Sequence, residues 1–277
     1  MKIGVHLRPT GYAIDIRELA VAAEALGFES LWVSEHSHIP VSLQSAWPGG
    51  EGLPRFMTHF FDPFVTLAAA ATVTSRIRLG TGICLLPQRD TIQVAKQVAS
   101  LDHLSRGRFE FGIGAGWNLE EMRNHGVDPA RRWQRMREQV LALRTLWTVD
   151  VAEFHGDLVD FDPLWQWPKP VHQPHPPVLL GGEGPTVLRR VLDYGDGWLP
   201  NDHPAVHERI EELHRLAAEC GREPPTVTVF AVDHDARTVE RHRQAGVQHC
   251  VFNLPTAPAG EVLPVLNQLA EYLEPAR

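Results

Sequence analysis

Residues 78–115 contain the pattern that decides the fold: RLGTGICLL at 78–86, DTIQVAKQVASLDHL at 90–104 and RFEFGIGA at 108–115. The first and third runs are short and consist mainly of apolar or small residues, which is typical of strands buried on both faces of a parallel sheet. The middle run is longer and amphipathic, as a surface helix is. This unit predicts two parallel strands joined by a crossover helix.

The same alternation extends along almost the whole chain and yields eight strands and eight helices. An open doubly wound sheet can also contain eight such units. However, the third, fourth and fifth strands are near-continuously apolar or small, as a closed inner barrel requires. We therefore predict an α/β fold, a (β/α)8 TIM barrel, formed by residues 1–277 as a single domain. The predicted strands are 2–7, 30–35, 78–86, 108–115, 178–181, 197–200, 226–232 and 249–254, and the predicted helices are 15–26, 62–74, 90–104, 129–147, 185–194, 205–220, 236–245 and 260–273.

Two segments interrupt the alternation. Residues 37–61, after the second strand, form an insertion that is too apolar for simple disorder. We predict that it is a lid or pocket wall for a partly apolar substrate, with Trp47, Phe56 and Phe60 in the pocket. The alternative is that these aromatic side chains pack against a neighbouring subunit. Before the fifth strand, the sequence predicts a hairpin at 151–162 and a proline-rich connector at 163–177.

Composition and charge exclude several other classes of protein. The formal net charge of −8 provides no electrostatic footprint for nucleic acid. Cys84, Cys220 and Cys250 are an odd number without short-range pairing, which indicates a reducing compartment. No stretch has the apolar length of a membrane span, and the chain starts directly with a strand. We expect a cytoplasmic protein that acts on a small molecule and binds neither nucleic acid nor membrane.

In a barrel of this kind, the residues just after each strand form the active-site face. Their position in the sequence is therefore enough to select candidates. The candidates are His6, Glu35, His36, Gly82, Ile83, Cys84, Gly114, Ala115, Gly116, Trp117, Gly181, Gly182, Glu183 and Gly184.

GGEGP at 181–185 and GIGAG at 112–116 are glycine-rich turns. Exposed N–H groups near a helix N-terminus favour a phosphate, and glycine lets it approach closely. Pro185 at the first helical position makes the first of these turns the better case. A tight turn without a ligand is the alternative for both. GIGAG does not fit a dinucleotide-binding fingerprint, because the third glycine and the later acidic strand end are missing.

His36 and His38 form an HxH pair like that of metal-dependent hydrolase barrels. Those barrels carry the pair on the first strand and need two further histidines and an aspartate at later strand ends. His172 and His175 lie in the proline-rich connector and His203 just past a strand end, so the set is incomplete. We predict no metal site.

Five longer motifs resemble the luciferase-like monooxygenases, in particular their short subgroup of predicted F420-dependent oxidoreductases. Together they cover most of the barrel, and the first three span three successive barrel units. The motifs are AAEALGFESLWVSEH at 22–36, DPFVTLAAAATVTSRIRLGTGICLLP at 62–87, QVASLDHLSRGRFEFGIGAGW at 97–117, PKPVHQPHPPVLLGGEGP at 168–185 and DGWLP at 196–200.

The resemblance implies a flavin-type ring bound at the strand ends and a non-prolyl cis peptide at Gly82–Ile83 behind it. It also implies that Glu35 and His36 match an acidic–histidine pair, with His36 in an acid/base or cofactor-positioning role. The turn at 114–117 would flank the ring and its tail, and the turn at 181–184 would meet the phosphate. Relatives are often dimers, so the resemblance implies a homodimer.

Two departures from the family pattern limit which family properties can be assigned to this chain. Deazaflavin-dependent sugar-phosphate dehydrogenases have a catalytic glutamate where this chain has Trp117, so we do not expect that activity. FMN-using relatives often have Ser or Asn where this chain has Glu183. A carboxylate there would repel a phosphate unless it points away.

The predicted function is hydride transfer between coenzyme F420 and a small, partly apolar organic substrate, with one proton carried by His36. The first alternative is an FMN-dependent luciferase-like monooxygenase, which activates oxygen. A non-catalytic flavin-binding barrel and a metal hydrolase are further alternatives.

Overall fold

A computed structural model describes residues 1–273. Its strands and helices alternate along most of this length, and four short 3-10 helices lie between or after them. The strands are β1 (Lys2–Leu7), β2 (Ser30–Val33), β3 (Arg78–Thr81), β4 (Cys84–Leu85), β5 (Phe109–Gly114), β6 (Val151–His155), β7 (Asp160–Trp165), β8 (Val178–Gly181), β9 (Gly197–Leu199), β10 (Thr226–Val229) and β11 (His249–Asn253). The helices are α1 (Ile16–Leu26), α2 (Pro63–Val73), α3 (Thr91–Ser105), α4 (Leu119–Asn124), α5 (Arg132–Thr148), α6 (Val187–Tyr194), α7 (Val206–Glu219), α8 (Ala236–Gln244) and α9 (Ala259–Leu269).

The large sheet is a closed parallel barrel. Its strands pair in the order β3-β2-β1-β11-β10-β9-β8-β5-β4, and an additional pairing of β3 with β5 closes the cylinder. Because β3 and β4 are two parts of one barrel strand, the barrel has eight strands. The predicted (β/α)8 fold is therefore confirmed.

Helix starts follow the sequence closely. Asp15, Asp62 and Asp90 each accept a hydrogen bond from a backbone N–H in the first turn of α1, α2 and α3, respectively. Such caps satisfy donors that the helix itself leaves free. Gly27 ends α1 in the left-handed conformation, with φ of 95°. These local signals fix where each crossover helix begins or ends.

The third barrel strand is not continuous, contrary to the prediction of a strand over 78–86. It breaks at the Gly82–Ile83 peptide, which is cis, as the resemblance implied. The strand predicted over 226–232 was also too long, because β10 ends at Val229 and Ala231 has a positive φ of 54°. Both departures lie at the same end of the barrel.

Two helices also differ from the prediction. The sequence did not predict α4, a six-residue helix capped by Asn118, because it is too short to show a hydrophobic period. The predicted position of Pro185 at the first residue of a helix was wrong, because α6 begins at Val187 with Thr186 as its N-cap. The helix predicted over 129–147 begins with a 3-10 turn at Pro129–Arg131 before α5.

The predicted hairpin is formed by β6 and β7, which pair with each other outside the barrel. Its turn is fixed to α5 by Glu138, whose carboxylate accepts hydrogen bonds from the N–H groups of Leu158 and Val159 at 2.7 and 3.1 Å. Among the helices of residues 1–273, none has both the length and the apolar character needed to cross a bilayer.

The barrel interior leaves no room for a side chain at Gly80. A Cβ atom there would lie 2.1 Å from Cε3 of Trp32, whose ring is fully buried and donates a hydrogen bond to Ser30. We predict that Gly80→Ala destabilises the protein by about 2 kcal/mol or more, because overpacking a rigid core typically costs about 1–3 kcal/mol. Urea unfolding followed by circular dichroism measures the change.

Gly260→Ala is the matched control, since a Cβ atom at Gly260, on the surface of α9, would meet nothing within 4 Å. We expect it to leave the unfolding midpoint unchanged or to raise it slightly. If the two variants are equally stable, the close packing of the Trp32 ring against Gly80 is contradicted.

His249 is a buried histidine at the N-terminal end of the barrel. Its Nε2 lies 2.9 Å from the Ser30 hydroxyl, and burial, together with the charges of Lys2 and Arg78, lowers its pKa from 6.5 to about 3. The unfolded chain therefore takes up a proton at a higher pH than the folded chain does. Stability is present above the unfolded pKa and is lost as the pH falls from about 6.5 towards 3.

We predict that the free energy of unfolding decreases over this pH range. His249→Gln should make the slope shallower by about 1.4 kcal/mol per pH unit, the value for one proton. Urea unfolding at several pH values between 7 and 4 measures both slopes. The prediction fails if the variant and the parent protein have the same slope.

Candidate active site

A cavity of about 390 Å³ opens at the C-terminal ends of the barrel strands. It is bordered by the end of β1, the insertion after β2, the break in the third strand and the turns after β5 and β8. The residues that line it are Arg8, Ser34, Glu35, His36, Trp47, Phe56, Met57, Phe60, Gly82, Ile83, Leu85, Gly114, Ala115, Gly116, Trp117, Trp133, Gly181, Gly182 and Asn201. An adjoining cavity of about 220 Å³ shares several of these residues and extends to Leu199 and Phe230.

A larger cavity, of about 910 Å³, lies at the opposite end of the barrel. It is lined by residues at the starts of strands, including Lys2, Arg78 and Thr226. Active sites of (β/α)8 enzymes lie at the C-terminal ends of the strands. Size alone therefore does not select the site, and the smaller cavity is the candidate.

His36 is the one titratable side chain of this cavity that has a nitrogen available for proton transfer. Its Nδ1 lies 2.7 Å from Oε2 of Glu121, and its Nε2 accepts a hydrogen bond of 3.2 Å from the indole Nε1 of Trp117. The His36 side chain is 8% exposed and that of Glu121 is 0% exposed. An indole nitrogen can only donate. The contacts therefore define a neutral ring with its proton on Nδ1 and with the electron pair of Nε2 accepting from Trp117.

Glu121 lies behind His36 and holds it in place. Its other oxygen, Oε1, accepts hydrogen bonds from the backbone N–H of Ser37 at 2.9 Å and from the Ser37 hydroxyl at 3.1 Å. Burial alone would raise the pKa of Glu121, but the hydrogen bond from His36 and those from the N–H groups of Ser37 and His38 outweigh it. The pKa of Glu121 is therefore lowered, and the carboxylate stays charged beside the imidazole.

Glu35, which the sequence suggested as a catalytic partner of His36, borders the cavity but is bound elsewhere. Its Oε2 accepts from the backbone N–H of Leu85 at 2.8 Å and its Oε1 from Nε of Arg89 at 2.7 Å. Arg89 also binds Asp62, the cap of α2. These contacts connect the end of β2 to the segment after the cis peptide. Glu35 therefore supports the cavity structurally.

Ile83 forms part of the cavity floor and explains two of the predicted glycines. A Cβ atom at Gly114 would lie 1.9 Å from Cδ1 of Ile83, and one at Gly181 would lie 3.0 Å from its Cγ2. Glycine at these two positions therefore makes room for Ile83. The sequence had suggested the approach of a phosphate as the reason.

The turn after β8 is open to a ligand. Gly182 has φ of 118°, and a Cβ atom at Gly184 would meet nothing within 4 Å. Within the described part of the chain, the backbone N–H groups of Glu183 and Gly184 donate to no protein acceptor. The Glu183 carboxylate accepts from the side-chain amide of Asn201 at 2.8 Å, so it is engaged with a neighbouring loop. Arg209 donates to the carbonyl of Gly184 at 3.2 Å.

His6 and Cys84 do not line the cavity. His6 lies 2.7 Å from Oδ1 of Asn253 and 2.6 Å from the hydroxyl of Ser34. Burial, together with the charge of Arg8, lowers the pKa of His6 to about 3, so its ring is neutral. Burial raises the pKa of the Cys84 thiol well above its ordinary value. Both side chains lie in the barrel wall beneath the site.

The insertion after β2 forms one wall of the cavity with Trp47, Phe56 and Phe60. The ring of Phe60 lies 6.0 Å from that of Phe56 and 5.8 Å from that of His36. The insertion is fixed at Ser45, whose hydroxyl donates to Glu120 at 2.7 Å and accepts from the N–H of Leu119. A continuous aromatic surface therefore leads to His36.

His38, Glu121 and His125 are grouped closely enough to hold a metal ion, with one ligand atom of each within 4.8 Å of the others. The Ser37 hydroxyl lies between them, at 2.8, 3.1 and 2.7 Å, respectively. All three groups are therefore satisfied by hydrogen bonds to the protein itself.

The residues that line or support the cavity and that the predicted site did not include are, among others, Arg8, Glu121, Trp133 and Asn201. Arg8 and Asn201 follow β1 and β9, so position after a strand is the signal that selects them. Glu121 lies on α4 and Trp133 on α5. Position after a strand does not distinguish Glu121 from its neighbour Glu120, and Trp133 is indistinguishable from a core residue of an amphipathic helix.

Comparison with known proteins places these features in a family. The model of the family described as luciferase-like monooxygenase matches residues 1–262. An uncharacterised protein of Mycobacterium tuberculosis is 39% identical over 280 residues, 99% of each chain. The F420-dependent hydroxymycolic acid dehydrogenase of the same species is 30% identical over 230 residues, which are 80% of this chain and 60% of that protein.

Among solved structures, the monooxygenase RslO1 from Streptomyces bottropensis superposes with a TM-score of 0.80 at 21% identity, covering 99% of this chain and 98% of that one. This likeness shows a common fold. The family match spans nearly the whole chain, residues 1–262, and it favours this class over a metal hydrolase. The chain belongs to the luciferase-like monooxygenase family and is an oxidoreductase or monooxygenase of that class.

Proposed function

We propose that this protein transfers a hydride between the deazaflavin coenzyme F420 and a small, partly apolar organic substrate. The observation that carries the proposal is His36, a neutral histidine in the cavity wall with a buried carboxylate behind it. Hydride transfer to or from a carbonyl or alcohol group moves one proton as well. A positioned histidine is the group best suited to carry that proton near neutral pH.

The residues of the cavity fit a flavin-type ring with a phosphate-bearing tail. Ile83 and the aromatic side chains of the wall offer an apolar floor and side to a ring. The free N–H groups of Glu183 and Gly184 are donors for a phosphate, and Arg209 beside them adds positive charge. Glu183 is bound to Asn201, which reduces the repulsion that the sequence suggested. When bound, a deazaflavin supplies a carbon that accepts or donates a hydride.

The side chains around His36 determine which of its nitrogens transfers the proton and which is held in place. Nε2 of His36 takes the proton of a substrate hydroxyl or, once protonated, gives one to a substrate carbonyl oxygen. The Glu121 carboxylate stabilises the imidazolium form and fixes the ring orientation through Nδ1, in the way that an acidic residue assists a histidine base. Trp117 donates to Nε2 in the resting site, so a substrate hydroxyl has to replace that hydrogen bond.

F420 is favoured over FMN by the relative that is named as an F420-dependent dehydrogenase and matches 80% of this chain. FMN-dependent oxygenation is the second candidate, because the family is described as luciferase-like monooxygenase. The two candidates require the same floor and the same phosphate contacts. Direct binding separates them.

The purified protein should bind oxidised F420 at least tenfold more tightly than FMN in separate titrations followed by cofactor fluorescence. Gly182→Ala should weaken F420 binding, because a side chain at φ of 118° distorts the turn that presents the free N–H groups. Gly221→Ala, at a left-handed glycine with open space around it, is the matched control. A preference for FMN would favour the oxygenating alternative, and binding of neither cofactor would overturn both.

His36→Ala should lower kcat by about 10²-fold or more, because general acid–base catalysis typically contributes that much. Glu121→Gln should lower kcat by about tenfold, since a neutral amide stabilises an imidazolium less than a carboxylate does. Turnover with the cofactor that binds, followed by the absorbance of its ring, measures both. His214→Ala, at an exposed position of α7, should behave like the parent protein. Unchanged turnover in His36→Ala would make His36 a structural residue.

A further inference from the structure

Arg8 lines the cavity just after β1 and has no polar partner. Among residues 1–273, no acceptor is hydrogen-bonded to its guanidinium and no carboxylate forms an ion pair with it. Its recorded contact is with the ring of Phe56, whose centroid lies 4.9 Å from Cζ. A guanidinium has five N–H donors and stays charged in proteins. Arg8 therefore presents a positive charge and unused donors to the cavity.

The acidic groups nearby cannot neutralise Arg8, because each is already bound. Glu35, the carboxylate that lines the cavity, is paired with Arg89. Glu121 is hydrogen-bonded to His36, and Glu183 is bound to Asn201. The cavity therefore contains one charge without a counter-charge.

Arg89, another partly buried arginine, differs from Arg8 because it has acidic partners. Arg89, whose side chain is 16% exposed, binds the carboxylates of Glu35 and Asp62. Burial lowers the pKa of Arg8, as expected for a cation that is withdrawn from water without a partner. Such a group costs stability, and it is retained in a cavity where a ligand can supply the missing charge.

The position of Arg8 relative to the proposed proton carrier indicates where that ligand lies. The rings of Phe56 and Phe60 form a continuous row from Arg8 to His36, with centroid distances of 6.0 Å between the two phenylalanines and 5.8 Å from Phe60 to His36. A molecule with an apolar body along this row has one end at the guanidinium. Its other end is at His36.

We propose that Arg8 binds the carboxylate of the substrate, so that the substrate class is an apolar carboxylic acid whose reacting carbon lies at the other end of the molecule. The carboxylate matches the forked geometry of a guanidinium and can accept two parallel hydrogen bonds. The identity of the reacting end rests on the proposed function of His36. The carboxylate contact itself does not depend on it.

Calorimetric titration with matched acid and amide pairs tests the proposal. The probes are hexanoate, octanoate and cinnamate, each compared with its primary amide, added to the protein alone and to the protein loaded with F420 or FMN. At least one acid should bind tenfold or more tightly than its amide, because a charge-assisted pair is lost in the amide. Arg8→Gln should abolish this preference, and Arg8→Lys should retain part of it.

Arg55→Gln is the matched control, because Arg55 also lies over an aromatic ring, that of Tyr12 at 4.5 Å, but does not line the cavity. It should bind the acids like the parent protein. Equal affinity for acid and amide, or a preference that persists in Arg8→Gln, would overturn the proposal. If Arg8→Gln instead weakens cofactor binding and no acid is preferred, the guanidinium serves the cofactor and the proposal is also wrong. If neither cofactor binds, the proposed function is wrong. The comparison of acid and amide on the unloaded protein then still tests the carboxylate contact.

Discussion

The hydrogen bond between Glu121 and His36 is the interaction on which the candidate site depends. A carboxylate with no exposure to water needs donors to compensate for the lost hydration. The donors come from the start of the insertion: Nδ1 of His36, and the backbone and hydroxyl of Ser37. Burial of one charge on α4 therefore fixes the path of the chain after β2. The ring of His36 is oriented by the same contacts that hold the loop, so the proposed proton carrier and the loop depend on one set of hydrogen bonds.

The floor of the cavity follows from a second constraint, the packing of Ile83. Its side chain occupies the space that Cβ atoms at Gly114 and Gly181 would fill. Three barrel units meet at this one residue, because Gly114 ends β5 and Gly181 ends β8. The glycines serve the protein's own packing here. Further along the turn, the N–H groups of Glu183 and Gly184 have no protein acceptor and are the donors proposed for a phosphate. One glycine-rich turn therefore combines two roles that the motif alone does not distinguish.

The barrel could be predicted from the sequence because burial on both strand faces and helix amphipathicity are local patterns. The location of the site could be predicted for a related reason, since strand ends converge at one face. What could not be predicted depends on tertiary contacts between side chains. Glu35 and Glu121 are both acidic residues near strand ends, and only the fold pairs the first with Arg89 and the second with His36. The direction of the Glu183 side chain, towards Asn201, also depends on a neighbouring loop.

The charged groups in and around the cavity differ in how completely the protein satisfies their hydrogen-bonding capacity. A group that the protein leaves unsatisfied is a candidate for contact with a ligand. Glu35, Glu121 and Glu183 have their hydrogen-bond partners within the protein. Arg8 has an aromatic ring beside it and no acceptor. A cation–π contact contributes about 0.5–2 kcal/mol, whereas the cost of an unpaired charge rises as the charge is withdrawn from water. Because Arg8 is partly withdrawn from water and has no acceptor, a bound anion would supply the counter-charge that the protein does not, and this is the physical basis of the proposed carboxylate contact.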